Sequence, residues 1–211
     1  MMQDIYILGV GHYTPVVIEL AEHCGYHVAG LYHYAPDCTG ESRYGIRVLG
    51  SYEDLFAEKS LAGRHYALSM GDNSIRADLF ARITAQGGSC PSLIHPTSIV
   101  SRFSSIGNGC QLHAYTAVQA HVHIAENCII GTHGLICHDT RIGPHSFFAA
   151  KATAGAYTHI GERVFMGLSS VSIPNKAKVI GNGAVIGAGA VVSRDVAADS
   201  VVVGNPARPL L

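Results

Sequence analysis

IAENCIIGTHGLICHDTRIG, residues 124–143, carries a large apolar residue at every sixth position. These residues are Ile124, Ile130, Ile136 and Ile142. An amphipathic helix repeats its apolar residues about every 3.6 positions and a half-buried strand every second position, so neither explains a spacing of six. A fixed six-residue repeat predicts a β-solenoid, in which each repeat adds one short strand with an inward aliphatic side chain.

The same repeat extends in both directions from this stretch. Its inward positions are expected to be Ile94, Val100, Ile106, Leu112, Val118, Ile124, Ile130, Ile136, Ile142, Phe148, Ala154, Ile160 and Met166. From Val100 onward a small or β-branched residue stands two positions before each of them, and glycine often follows. The repeat shifts by two residues between Ser172 and Lys178 and resumes at Ile180, which predicts a bulge or small loop at 173–175.

The first ninety residues follow a different pattern. Apolar residues 5–8 lead into a glycine turn at 9–11 and then into a helical pattern at 16–21, which indicates a β-turn-α unit. Further strands are expected at 27–31, 47–49 and 65–70 and helices at 52–58 and 73–86, before a linker at 87–89. We therefore predict a small Rossmann-like parallel sheet over residues 1–88 and an all-β solenoid over residues 89–211.

Parallel β-α units bind ligands at the carboxyl ends of their strands. The candidates at these positions are Gly9, Gly11, His12, Gly71 and Asn73. A nicotinamide dinucleotide is not expected, because Thr14 stands where the third glycine of that motif belongs and Tyr32-His33 stand where an acid holds the ribose. Phosphate binding at the helix N-terminus is the functional interpretation, and a tight structural turn is the alternative.

Composition excludes several classes of protein. Of 211 residues, 14% are charged and 48% hydrophobic, and the formal net charge is -1, which leaves no basic surface for nucleic acid or an anionic membrane. No apolar run reaches the roughly eighteen residues of a membrane span. The six cysteines form no Cys-x-x-Cys pair, so we expect reduced thiols. The acidic Asp4 near the start is unlike a signal peptide, which predicts a cytoplasmic protein.

Motifs in both halves resemble one known family. They are Ile7-Leu8-Gly9-Val10-Gly11-His12, Gly71-Asp72-Asn73-Ser74-Ile75-Arg76, Ile94-His95-Pro96, Cys137-His138-Asp139 and Gly204-Asn205-Pro206-Ala207-Arg208. In this order they are similar to the sugar O- and N-acyltransferases, which include sialic acid O-acetyltransferases and nucleotide 4-amino-sugar N-acetyltransferases. The resemblance implies a nucleotide-sugar-binding α/β domain joined to a left-handed parallel β-helix with coils of about eighteen residues.

The resemblance also implies roles for individual residues. His138 would be the catalytic base with Asp139 beside it, and acetyl-CoA would lie along the coils beyond His138, in a cleft between subunits. The residues expected at acetyl-CoA are Gly155, Ala156, Gly167, Gly187, Pro206 and Ala207. Those expected at the nucleotide sugar are Gly9, Gly11, His12, Tyr32, His33, Gly71 and Asn73. In this family an acidic pair often stands at the position of Tyr32-His33, and Gly-Gly commonly stands at that of Ala156-Tyr157.

The expected activity is therefore acetyl-CoA-dependent acetylation of an amino sugar by direct transfer. The nucleotide-linked 4-amino sugars of bacterial glycan synthesis are the expected acceptors, and sugar O-acetylation of the sialic acid type is the alternative. No metal is expected. A single solenoid leaves much flat surface uncovered, so we expect a closed homotrimer.

The repeat places His138 without reference to any family. Residues eighteen apart stack on neighbouring coils about 4.8 Å apart, so His138 lies between Ala120 and Ala156. Two positions after the inward Ile136, it should point outward into a slot with small walls. An exposed imidazole can remove a proton from an attacking amine or hydroxyl. The Gly155 and Ala156 amides are the expected donors to the oxyanion.

Two other classes of function stay open. His133 and His138 form a His-x4-His spacing that also occurs in hexapeptide-repeat carbonic anhydrases of the gamma type. Catalytic zinc would need a third ligand, for which the candidates on a neighbouring chain are His113, His121 and His123. Against this, those enzymes lack such an α/β domain, and their Arg-x-Asp motif is not found here. The second alternative is a scaffold whose solenoid only trimerises while the first domain senses a sugar nucleotide.

Overall fold

The computed structural model describes residues 2–210 and divides into two compact units between Leu93 and Ile94. This division falls a few residues after the boundary predicted between 88 and 89. Each unit has a buried apolar core of its own, as expected for parts of the chain with different apolar periodicities.

The first unit contains one five-stranded sheet and its helices. Its strands are β1 Gln3–Leu8, β2 Tyr26–His33, β3 Ser42–Arg43, β4 Ile46–Ser51 and β5 His65–Leu68. Its helices are α1 Thr14–His23, α2 Tyr52–Phe56 and α3 Asn73–Ala85, with a short 3-10 helix at Pro36–Cys38. Among residues 2–210, no helix is both long and apolar enough to span a membrane.

The strand order of this sheet is β3-β4-β2-β1-β5. All neighbouring strands are parallel except β3 and β4, which form an antiparallel hairpin at the edge. The central strand β1 buries Ile5 and Ile7 completely. Because β1, β2 and β5 are parallel neighbours, the turns that follow Leu8, His33 and Leu68 lie at the same edge of the sheet.

The second unit is built almost entirely from two-residue strands. They are β6 Leu93–Ile94, β7 Ile99–Val100, β8 Ser105–Ile106, β9 Gln111–Leu112, β10 Ala117–Val118, β11 His123–Ile124, β12 Ile129–Ile130, β13 Leu135–Ile136, β14 Arg141–Ile142, β15 Phe147–Phe148, β16 Thr153–Ala154, β17 His159–Ile160, β18 Phe165–Met166, β19 Val171–Ser172, β20 Val179–Ile180, β21 Val185–Ile186, β22 Val191–Val192, β23 Val201–Val203 and β24 Arg208–Pro209. Strands three apart pair in parallel, as do β21 and β23, which produces three sheets, and β24 pairs antiparallel with β23. The solenoid predicted from the repeat is therefore present.

Inward residues of the repeat form one continuous apolar column. Ile136 pairs with Val118 on one side and with Ala154 on the other, and all three side chains are at most 2% exposed. Burying a side chain of this size stabilises the fold by about 1.5–3 kcal/mol. The column supplies the core of the whole unit.

Most corners of the solenoid use a left-handed backbone, three positions after the inward residue. The non-glycine residues in this conformation are Tyr115, His121, Asn127, His133, Asp139, His145, Lys151, Tyr157, Arg163, Ser169, Asn175 and Asp199. This conformation costs an L-residue about 1 kcal/mol, and the stacking of successive coils offsets that cost. Among these residues Asn127 is buried, His145 is half-buried and the others are exposed.

The shift in the repeat is also present. Ile142 pairs with Ile160, and Ile160 pairs with Ile180, so this coil contains two additional residues. The extra residues form a turn that includes Pro174 and Asn175. Ser172 takes an inward position just before this turn and is completely buried. A hydroxyl therefore replaces an aliphatic group in the core near this coil.

Candidate active site

His138 lies at the corner that follows strand β13. Its side chain is 46% exposed. Its backbone N–H donates a 3.0 Å hydrogen bond to Oε1 of Gln119 on the preceding coil. The residue is therefore held at its backbone while its ring stays accessible to a bound ligand, which is what a general base requires.

Asp139 adopts the left-handed corner conformation, with φ 55°. The bend brings its Oδ2 to 2.8 Å from Nδ1 of His138, whereas adjacent side chains in a strand point to opposite faces. A carboxylate only accepts hydrogen bonds, so the proton of the neutral imidazole lies on Nδ1 and the lone pair on Nε2. The pair is thus arranged to remove a proton through Nε2.

Tyr157 forms a wall of this site that sequence reasoning did not assign a role. Its ring meets His138 edge-on, with centroids 5.2 Å apart and an interplanar angle of 89°. Its backbone N–H donates to the carbonyl oxygen of His138 at 3.3 Å. The repeat contained the signal, because Tyr157 occupies the corner position of Asp139 one coil later.

The backbone amide of Gly155 is already engaged. Its N–H donates a 2.8 Å hydrogen bond to Oγ of the buried Ser172, and a Cβ at this position would overlap the carbonyl oxygen of Ser172. The Gly155 amide therefore already has a partner in the core, and that it polarises the thioester stays a prediction. This glycine also permits close approach between coils.

Cys137 and Ala156 lie beside His138 on adjacent coils. Burial raises the pKa of the Cys137 thiol, although a backbone hydrogen bond from Ala156 acts in the opposite direction. A thiol with a raised pKa stays protonated near neutral pH and is a poor nucleophile. Sulfur is also a weak acceptor, so a negatively charged oxygen can replace it as the partner of the Ala156 amide.

The other residues predicted to bind acetyl-CoA differ in their surroundings. At Gly167 and Gly187 a Cβ would lie 2.7 Å from an atom of a neighbouring coil. Ala207 is 7% exposed and packs into the solenoid core. Close packing between coils therefore explains why small residues stand at positions 167, 187 and 207. Pro206, in contrast, is exposed and accessible to a ligand.

In the first unit, the turn after β1 contains one glycine that the fold requires. Gly9 has φ 126°, a Cβ there would overlap Oγ of Ser69, and its N–H donates to the carbonyl oxygen of Tyr32 at 2.7 Å. Gly11 and His12 are exposed, and no atom lies within 4 Å of the place where a Cβ of Gly11 would stand. The turn is thus anchored at Gly9 and open at Gly11 and His12.

Tyr44 also borders this turn, which the sequence did not indicate. Its hydroxyl donates hydrogen bonds of 3.0 and 3.3 Å to the carbonyl oxygens of Gly11 and Val10. It lies at the tip of the β3-β4 hairpin with φ 54° and is 48% exposed. The available signal was Gly45 between the polar residues 41–43 and the apolar strand β4, since glycine favours turns.

The second turn of the first unit leads into α3. Oδ1 of Asp72 caps this helix and accepts hydrogen bonds of 2.8 and 2.9 Å from two amides of its first turn. Oδ1 of Asn73 accepts a 2.9 Å hydrogen bond from Nη2 of Arg76, which is completely buried. Asn73 therefore positions a buried cation, while Gly71 is exposed at the edge of the sheet.

Tyr32 and His33 end strand β2 with opposite orientations. Tyr32 is 7% exposed, its ring lies 6.3 Å from that of Tyr6, and burial raises its pKa. The side chain of Tyr32 therefore faces the core, and that Tyr32 binds the nucleotide sugar stays a prediction. His33, the last residue of β2, is half-buried.

His133 has other partners than His138. Its ring stacks on Tyr115, with centroids 5.0 Å apart and an interplanar angle of 14°. Within residues 2–210 of one chain, neither His133 nor His138 belongs to a group of three metal-binding side chains. A single chain therefore does not assemble the zinc site of the carbonic anhydrase interpretation.

Comparison with known proteins identifies both units. Residues 4–83 match the family model of the PglD N-terminal domain. The chain is 27% identical to GDP-perosamine N-acetyltransferase of Escherichia coli, over 97% of this chain and 95% of that protein. PerB of Caulobacter crescentus in complex with CoA and GDP-perosamine matches with a TM-score of 0.90 and 29% identity, over 100% of this chain and 99% of that one.

A further solved structure extends this result. The acetyltransferase domain of PglB from Neisseria gonorrhoeae, in complex with acetyl coenzyme A, matches with a TM-score of 0.88 and 29% identity over 100% of both chains. Over its whole length the chain is therefore similar to sugar acetyltransferases of the hexapeptide-repeat family. This similarity confirms the predicted fold class, with its left-handed β-helix, and the predicted class of enzyme. The exposed His138 lies on the β-helix of this acetyltransferase.

Proposed function

We propose that this acetyltransferase transfers the acetyl group of acetyl-CoA to the amino group of a nucleotide-linked 4-amino sugar, with GDP-perosamine as the first substrate to test. The observation that carries the proposal is the exposed His138-Asp139 pair, in a chain that matches GDP-perosamine N-acetyltransferases from end to end. The predicted activity, acetylation of an amino sugar from acetyl-CoA, is confirmed by these matches.

The proposed reaction is a direct transfer. The sugar nitrogen attacks the thioester carbonyl carbon while Nε2 of His138 takes a proton from that nitrogen. The new C–N bond forms, the C–S bond breaks, and CoA leaves as a thiolate that is then protonated. Asp139 holds the imidazole and stabilises its charged form, and the Ala156 N–H donates to the oxyanion. Cys137 takes no covalent part in this proposal, since burial raises the pKa of its thiol and so disfavours the nucleophilic thiolate.

The nucleotide sugar would bind at the carboxyl edge of the first unit. Gly11, His12 and Gly71 are exposed in the turns at this edge, and His33 is half-buried there. Asn73 would act indirectly, through its hydrogen bond to the buried Arg76. His33 in place of an acidic residue is a difference that bears on the identity of the nucleotide, so several nucleotides need to be compared.

A homotrimer with active sites between subunits is part of the proposal. Six large apolar or aromatic side chains of the described solenoid are more than half exposed, namely Ile99, Phe103, Tyr115, Tyr157, Leu168 and Leu210. Exposed apolar groups of this size favour burial in an interface, and closed symmetry is the usual form of such assemblies. The cytoplasmic location predicted from the sequence stays a prediction.

The test is an assay of CoA release with GDP-, UDP- and dTDP-linked sugars, each as the 4-amino and the 4-hydroxy compound. We expect release only with amino sugars, fastest with the GDP-linked one, and a product heavier by one acetyl group in mass spectrometry. Release with hydroxy sugars alone would establish the O-acetylation alternative. Thermal stabilisation by a nucleotide sugar without any CoA release would support the scaffold.

A further inference from the structure

The end of β2 and the 3-10 helix after it bring three metal-binding side chains together. Ligand atoms of His33, Asp37 and Cys38 all lie within 4.8 Å of one another. The described part of the chain, residues 2–210, holds no other group of three or more such side chains. We propose that these three residues bind one zinc ion, with water at the fourth coordination position.

The distances agree with tetrahedral zinc. Nδ1 of His33 lies 3.3 Å from Sγ of Cys38. In a tetrahedral zinc site, the Zn–S bond is about 2.3 Å and the Zn–N bond about 2.1 Å. The sulfur and the nitrogen are then about 3.6 Å apart. The two ligands therefore need to move apart by only a few tenths of an ångström to admit the ion.

The donor types also favour zinc. A thiolate, an imidazole and a carboxylate form a mixed set that suits zinc, whereas magnesium and calcium prefer oxygen ligands alone. The backbone N–H of Ala35 donates to Nδ1 of His33 at 3.4 Å, so this nitrogen carries a lone pair, which zinc would take over from that long hydrogen bond. Binding replaces the S–H bond of Cys38 by a Zn–S bond and releases one proton to solvent.

The loop that carries these ligands is held by backbone hydrogen bonds. The N–H of Thr39 donates to the carbonyl oxygen of Pro36 at 3.1 Å, and the N–H of Glu41 donates to the carbonyl oxygen of Cys38 at 3.1 Å. Cys38 is 6% exposed and packs in the core of the first unit, whereas Asp37 is exposed. His33 and Cys38 are thus held in place by the surrounding protein. Asp37 would be the third ligand, on the side of the site that faces solvent.

Zinc at this site would fix the loop directly after β2. Tyr32, the residue before His33, accepts the hydrogen bond from Gly9 that anchors the neighbouring turn. The ion therefore stabilises the edge of the sheet where the strand ends meet. This inference does not rest on the acetyl transfer proposed above, and its test uses no substrate.

The test is a titration of tag-free, chelator-treated protein with Co²⁺, which reports a thiolate ligand through a charge-transfer absorption in the near ultraviolet. We expect one Co²⁺ per chain, displacement by Zn²⁺, and release of about one proton per ion bound. The Cys38→Ser protein should lack the charge-transfer band. Cys24→Ser, which removes a half-buried thiol of the same unit, should keep it.

Two further variants test the other two ligands and show whether a loss of Co²⁺ binding could come from misfolding instead. Asp37→Asn changes an exposed side chain and should weaken Co²⁺ binding at least tenfold, and His33→Gln should do the same while the circular dichroism spectrum stays unchanged. Zn²⁺ should raise the melting temperature of the wild-type protein and leave that of Asp37→Asn almost unchanged. A wild-type protein without the charge-transfer band, or Asp37→Asn and His33→Gln proteins with wild-type affinity, would overturn the proposal.

Discussion

Oδ2 of Asp139 lies 2.8 Å from Nδ1 of His138 because Asp139 adopts a left-handed backbone at a corner of the solenoid. In a continuous strand the two side chains would point to opposite faces. Aspartate and asparagine tolerate this backbone better than most residues, since their short polar side chains can hydrogen-bond locally. The corner that closes the coil is thus also the feature that aligns the proposed catalytic pair.

Replacing His138 by alanine should lower kcat for acetyl transfer by roughly 10²–10⁴-fold, because the general base is lost. The measurement is CoA release with the accepted amino sugar. His133→Ala is the control, since this ring stacks on Tyr115 and does not contact the pair. Unchanged turnover in His138→Ala would exclude this residue as the base.

Asp139→Asn should lower kcat about tenfold and leave the melting temperature and the KM for acetyl-CoA unchanged. Asparagine keeps the left-handed corner but brings no negative charge to stabilise the imidazolium. Asp139→Ala should in addition lose about 1 kcal/mol of unfolding free energy, because alanine is strained at φ 55°. Equal kcat values for the Asp139→Asn and wild-type enzymes would remove Asp139 from the mechanism.

Two glycines of one turn should respond differently to alanine. Gly9→Ala should destabilise the first unit by about 1–3 kcal/mol, because φ is 126° and the new Cβ overlaps Ser69. Gly11→Ala meets no atom within 4 Å, so it should keep the melting temperature and raise the KM for the nucleotide sugar. A KM unaffected by Gly11→Ala would place the sugar nucleotide elsewhere.

Stability should fall in mild acid because of His113. Burial, and secondarily His95, lowers the pKa of His113 to about 4 in the folded protein. The unfolded state, with its ordinary pKa near 6.5, binds the proton first, so unfolding free energy decreases as the pH falls from about 6.5 to about 4, by about 3 kcal/mol at most.

Urea unfolding at several pH values tests this expectation. His113→Gln should flatten the dependence between about pH 6.5 and pH 4, while the exposed His159→Gln should retain it. If the unfolding free energy of His113→Gln falls with decreasing pH as steeply as that of the wild-type protein, the acid sensitivity comes from other groups.

Much of the fold was predictable because its signal is local and repeated. The spacing of six identified the inward column that includes Ile136, and the shift at Ser172 predicted the added turn. The strand Ser42–Arg43 and the 3-10 helix Pro36–Cys38 were missed, because short polar segments carry no apolar periodicity. Tertiary hydrogen bonds to neighbouring parts of the chain hold them in place.

The candidate site was predictable only in part. The repeat indicated that His138 points outward, since it stands two positions after an inward residue. It did not indicate that Ser172 occupies the Gly155 amide, because that contact depends on a phase shift in the following coil. Nor did strand alternation predict the burial of Tyr32, whose side chain faces an aromatic cluster built from separate strands.

The amino-acid sequence by itself determined which side chains enter the apolar column and which corners carry His138, Asp139 and Tyr157, because a six-residue period assigns each position a direction. Only the tertiary structure decided which polar groups remain available. Gly155, Asn73 and Cys38 each meet a partner whose distance depends on chain folding rather than on periodicity. Hydrogen bonds act over about 3 Å, and a repeat of apolar residues contains no information at that scale.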